Sequence, residues 1–127
     1  MRRIIQILAV IYVLNGLYML IMPFAWYENT PGVSMLGPYN THFVRDVGLV
    51  YLISAAGMFW GVRPRQVNVL IFASIWPALH AIYHFWMWIG RDFAFDQVAL
   101  VNLIGIQIPA WLTLFIAMRM RRSNWLP

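Results

Sequence analysis

Polar residues are confined to a few places along this chain, and between them lie four apolar runs. The first extends from about Ile4 to Met22 and closes at Pro23. The second extends from about Thr41 to Gly61, just before Arg63-Pro64-Arg65. The third, from about Val67 to Ile89, stops at Gly90-Arg91-Asp92, and the fourth covers about Val98 to Met118. Each is near the ~20 residues that an α-helix needs to cross the hydrocarbon core of a bilayer. In lipid the backbone must satisfy its own hydrogen bonds, which a helix does within one segment. The predicted fold class is therefore all-α: an integral membrane four-helix bundle forming a single domain over residues 1–127. Residues 23–40 form the one long connection, and their Pro, Gly and aromatic content predicts a segment folded over one mouth of the bundle. The other two connections are short, so the default arrangement is antiparallel, up-down-up-down.

Arg2 and Arg3 precede the first run as they would in a signal peptide. That run is about 19 residues long, however, and Pro23-Phe24-Ala25-Trp26 offers no small-x-small cleavage site, so it is read as a helix. Composition supports the membrane reading. The chain is 62% hydrophobic and 10% charged, against roughly 25% charged in an ordinary soluble domain. Its net charge of +5 does not point to nucleic acid, because the arginines sit at the ends of apolar runs rather than along one face. Arg2, Arg3, Arg63, Arg65, Arg119, Arg121 and Arg122 all fall on one side, and Arg91 is the only loop arginine on the other. The positive-inside rule then places both termini in the cytoplasm. Trp26, Tyr27, Trp86, Trp88 and Trp125 suit interfacial belts, and Arg119-Met120-Arg121-Arg122 suits a stop-transfer cluster that meets anionic lipid. With no cysteine there is no disulfide framework, thiolate metal site or cysteine nucleophile. No nucleotide loop or zinc-protease motif occurs.

The candidate chemistry lies in two pairs of polar residues four apart: His42 with Asp46 in the second run, and His80 with His84 in the third. An ionisable group at the centre of a membrane helix costs at least ~2.5–3.5 kcal/mol, so such groups usually face an interior. With the two helices antiparallel, both pairs are expected at similar depth in the outer leaflet. At 100° per residue His42, Asp46, Leu49, Ile53 and Gly57 share one stripe, with Arg45 at its edge, while Pro77, His80, His84 and Met87 share another. Gly57 and Gly61 form a small-xxx-small pair suited to close helix approach. Asn15 and Asn102 also fall in the outer half.

Three imidazoles and a carboxylate suit zinc, copper or iron, and ligands one turn apart on facing helices are how bundles build core metal sites. The expected ligands are His42, Asp46, His80 and His84, with Arg45 as a neighbouring charge or anion contact. Haem between facing histidines, or a quinone exchanging protons with a histidine and an acid, remains open on the same residues. The competing reading is a buried polar network in a non-catalytic accessory subunit. There Asp46 would pair with Arg45, Arg91 or a histidine, and His80 with a carbonyl freed near Pro77. In either case the small size favours a homo-oligomer or a module of a larger membrane assembly.

The runs His42-Phe-Val-Arg-Asp-Val-Gly48 and Leu79-His-Ala-Ile-Tyr-His84 resemble a group of small bacterial four-helix inner-membrane proteins. That group is loosely similar to the DoxX-like proteins, some of which are associated with quinone-linked oxidoreductases. The resemblance implies a bacterial inner-membrane location and a redox connection, and it assigns no functional residue.

Overall fold

A computed structural model describes residues 1–123 of the chain, so Trp125 lies outside the described residues. Helix α1 spans Arg2–Ile21, α2 Pro23–Asn29, α3 Thr41–Gly61, α4 Val67–Ile89, α5 Gln97–Asn102 and α6 Ile108–Ser123. A π-helical turn over Leu103–Gln107 joins α5 to α6, and no strand occurs among the described residues. Four stretches are long and apolar enough to cross a membrane: α1, α3, α4 and the composite Gln97–Arg122.

Local chemistry sets the ends of these elements. The Asn40 side chain accepts a hydrogen bond from the Phe43 N–H at 3.1 Å and so caps α3, satisfying one of the donors that a helix start leaves open. Asp96 caps α5 in the same way, through the Ala99 N–H at 3.0 Å. Pro23 stands at the first position of α2, where its missing N–H and fixed φ are tolerated, so the long connection begins as a seven-residue helix rather than as loop. Beyond it the Tyr27 hydroxyl donates to the Gly37 carbonyl at 2.7 Å, and Tyr39 packs edge-on against Phe24. Gly32 lies against Val98 at the start of α5, with φ +90° and no room for a Cβ. The connection thus reaches from α2 across to the start of α5.

The fourth span is the one whose regularity breaks. The Ile108 N–H bonds to Leu103 O, five residues back, and the next residue, Pro109, has no N–H to give. A widened turn ahead of Pro109 accommodates its ring. Pro77 is buried inside α4, which continues through it to Ile89.

The long helices form a ring in the order α1, α3, α4, α6, and the seam between α6 and α1 is the loosest. Glycines bring neighbours together. A Cβ on Gly16 would stand 2.8 Å from Gly48 O, and one on Gly57 would stand 2.6 Å from Ala73 Cβ. Gly61 packs on the Leu70 backbone more closely still. These contacts also fix the antiparallel register of α1 with α3 and of α3 with α4. The core is assembled from Ile5, Tyr12 and Met19 of α1, Tyr51 and Met58 of α3, Leu70 of α4 and Ile116 of α6. The outward faces are equally apolar: Phe72 is 77% exposed and Ile53 72%. A helix that is hydrophobic all round is the mark of a membrane span. Seven arginines lie at one end of the ring, and Glu28, Asp46, Asp92 and Asp96 lie toward the other, which carries residues 23–40. We call these the arginine end and the loop end.

Candidate functional site

His80 and His84 occupy the flank of α4 that turns toward α3, one helical turn apart, and both are half-buried. Their ring centroids are 4.5 Å apart. The Trp76 indole, one turn back, stacks on His80 with centroids 4.8 Å apart and planes within 13°. Tyr51 of α3 meets Trp76 edge-on at 5.2 Å and His80 at 6.4 Å, and Tyr12 of α1 meets Tyr51 at 5.0 Å. The result is a continuous file of five rings, Tyr12–Tyr51–Trp76–His80–His84, which starts near the middle of the bundle and climbs toward the loop end. Among the described residues no side chain or carbonyl hydrogen-bonds to a ring nitrogen of His80 or His84.

The sequence reading identified the two histidines but missed Tyr12, Tyr51 and Trp76. A usable signal existed, since Trp76, His80 and His84 follow one another at four-residue steps on one flank. Tyr12 and Tyr51 carried no such signal: they share stripes with Ala9 and Met19 in α1 and with Val44 and Met58 in α3, whose burial only the fold displays.

The other pair stands elsewhere. His42 Nδ1 lies 2.7 Å from Asp46 Oδ2, and the two side chains are 86% and 57% exposed. Leu49 and Ile53 of the same stripe are exposed too. The expectation that this stripe faces the interior is corrected: α3 buries Val44, Gly48, Tyr51, Ala55 and Met58 instead, about 120–200° around the helix from Asp46 at 100° per residue. The depth argument fares better. With Tyr51 beside His80, Asp46 and His84 each lie five and four residues further toward the loop end, about 6–8 Å at 1.5 Å per residue. Equal depth does not assemble the four: among the described residues, no group of three or more His, Asp or Glu side chains comes together to hold a metal ion.

The polar pairings weighed from sequence also resolve. Asp46 is held by His42, while Arg91 pairs with Asp96. Arg45 donates from Nε to Leu20 O at 3.3 Å, a cation at the open carbonyls of the α1 C-terminus. The interhelical polar clamp is made by residues outside the histidine pairs. Buried Gln107 donates from Nε2 to Ala81 O at 2.8 Å and to Asn102 Oδ1 at 3.2 Å, and its Oε1 accepts from Trp111 Nε1 at 3.0 Å. Asn15 accepts from Trp26 Nε1 at 3.0 Å and so ties α1 to α2.

Two kinds of polar group are therefore present inside the apolar ring. One is satisfied by protein and fastens helices together. The other, the imidazole pair, has its nitrogens unclaimed beside a stack of aromatic rings. Comparison with protein-family models, with curated proteins and with solved structures finds no match to this chain, so the reading of the site rests on this geometry.

Proposed function

We propose that this chain is a small multi-pass protein of the bacterial inner membrane, with its arginine end in the cytoplasm, and that His80 and His84 bind a transition metal near its outer face. The observation that carries this reading is the pair of imidazoles one turn apart, with no hydrogen-bond partner among the described residues. In an apolar span a polar group without a partner is costly, and two histidines at i, i+4 place two nitrogens where one ion can take both, as in helical zinc motifs. Zinc, copper and iron all accept imidazole. Met87, one turn beyond His84 on the same flank, adds a soft thioether that suits copper.

Two histidines complete only part of a coordination shell, since zinc takes four ligands. Water, a bound substrate or a partner subunit supplies the remainder, which fits a module of a larger assembly better than a self-contained enzyme. Trp76 and Tyr51 hold the His80 ring in place from α4 and α3, so the metal position is set by packing rather than by hydrogen bonds. The alternative, a non-catalytic accessory subunit, would draw its polar clamp from Gln107 and Asn102 rather than from the histidines.

The test is metal content per chain, by elemental mass spectrometry on protein purified gently from native membranes, with a His80→Gln/His84→Gln double variant alongside. Near-stoichiometric zinc, copper or iron that disappears in the folded variant is the expected result. Equal metal in both samples, or none in either, would overturn the assignment.

A further inference from the structure

At the arginine end, the loose seam between α1 and α6 opens into a groove of about 450 Å³ lined by Met1, Ile4, Leu112, Phe115, Ile116 and Arg119. Five of the six side chains are apolar. The sixth, Arg119, lies with its guanidinium 5.3 Å over the Phe115 ring at the rim, and it has no ion-pair partner among the described residues. All four Asp and Glu side chains belong to the loop end, while Arg2, Arg3, Arg121 and Arg122 share this end with Arg119. Every basic side chain in the chain is arginine and none is lysine. The planar guanidinium fork matches phosphate oxygens in pairs.

We propose that this groove is a binding site for one anionic phospholipid, with an acyl chain against Ile4, Leu112 and Phe115 and the headgroup phosphate on Arg119. Charge complementarity selects the occupant. An apolar slot that ends in a guanidinium fits a molecule apolar along its length and anionic at its tip. The arginines around it favour a lipid of net negative charge over a zwitterionic one. A basic residue near a membrane surface is worth about a fivefold preference for anionic lipid. The groove is distinct from the histidine pair, which lies toward the opposite end, so this site stands whether or not a metal binds there.

The full-length chain in vesicles of three parts phosphatidylcholine to one part phosphatidylglycerol, released in mild detergent, provides the test, with retained lipids counted by native mass spectrometry. The expected result is one phosphatidylglycerol retained per chain, enriched about fivefold over its share of the vesicle. Arg119→Gln should abolish the enrichment. Ile4→Trp, which fills the slot and leaves the charge, should lose the retained lipid, and Arg63→Gln, remote from the groove, should change neither. Retention at the bulk lipid ratio, undiminished enrichment in Arg119→Gln, or equal loss in Arg63→Gln would overturn the site. Should Ile4→Trp fail to fold, Arg119→Gln against Arg63→Gln still decides.

Discussion

Gln107 Nε2 stands 2.8 Å from the main-chain oxygen of Ala81, and through that one amide the π turn of the fourth span is fastened to α4. The same side chain also holds Asn102 and Trp111. Hydrogen bonds between membrane helices average ~0.6 kcal/mol with a maximum near 1.7. Gln107→Leu, which keeps the volume and removes all three bonds, should therefore lower stability by about 1–2 kcal/mol. Reversible unfolding in mixed micelles of mild and denaturing detergent reads this directly, and an unchanged midpoint would show that the clamp contributes nothing net.

Gly61 and Gly105 should answer differently to alanine. A Cβ on Gly61 runs into the Leu70 backbone, whereas one on Gly105 meets nothing within 4 Å. Overpacking a tight contact costs ~1–3 kcal/mol. Gly61→Ala should lose about that much by prising α3 from α4, while Gly105→Ala should be neutral or slightly stabilising by helix propensity. The same detergent-unfolding assay ranks the two variants, and equal effects would contradict the close approach of α3 and α4.

His42 and Asp46 satisfy each other on an exposed face, so they should be dispensable to metal retention. In a His42→Ala/Asp46→Asn double variant, metal per chain should equal that of the unmodified protein, where His80→Gln/His84→Gln loses it. Loss in both variants would restore the four-ligand site expected from sequence and would require α3 to turn Asp46 inward.

Asp96 links stability to acid. The Arg91 guanidinium beside it, with help from the Ala99 N–H, holds its carboxyl below the ordinary value of 3.8. A carboxyl depressed on folding contributes stability that is complete above its unfolded value and is lost as pH falls through the folded one. The thermal midpoint in detergent should therefore decline on acidification below about pH 4. Asp96→Asn, which can still cap α5 but cannot ionise, should decline less over that window. Parallel pH profiles for the two proteins would remove Asp96 from the account.

Much of the architecture was legible in the sequence, because lipid imposes one length and one secondary structure on a spanning segment. The Thr41–Gly61 and Val67–Ile89 boundaries are read directly from the punctuation around them. Gly57 and Gly61 mark a close approach that the fold contains. Depth was legible too, as a matter of counting rise per residue from a helix end. What could not be read was rotation. In a soluble helix, a polar face and an apolar face say which side is inside, but α3 is apolar on both sides, and the stripe through Leu49 and Ile53 carries no sign that it looks outward. The π turn was hidden for a related reason: Leu103–Gln107 continues an apolar helical pattern, and only Pro109 hints that the bonding shifts. The ring file needed partners from three helices, which no single run of sequence displays.

The separation of charge along the bundle makes orientation a matter of history. Seven guanidiniums at one end cannot shed their charge by losing protons at any pH a cell meets. To turn the folded bundle over, each would have to be stripped of water and drawn through hydrocarbon, against a membrane potential worth about 2.3 kcal/mol per charge for every 100 mV. No thermal fluctuation supplies work of that size. In a bilayer, the side on which synthesis left Arg2 and Arg119 would be the side on which they stayed, and the topology would be a record of assembly rather than a choice renewed at equilibrium.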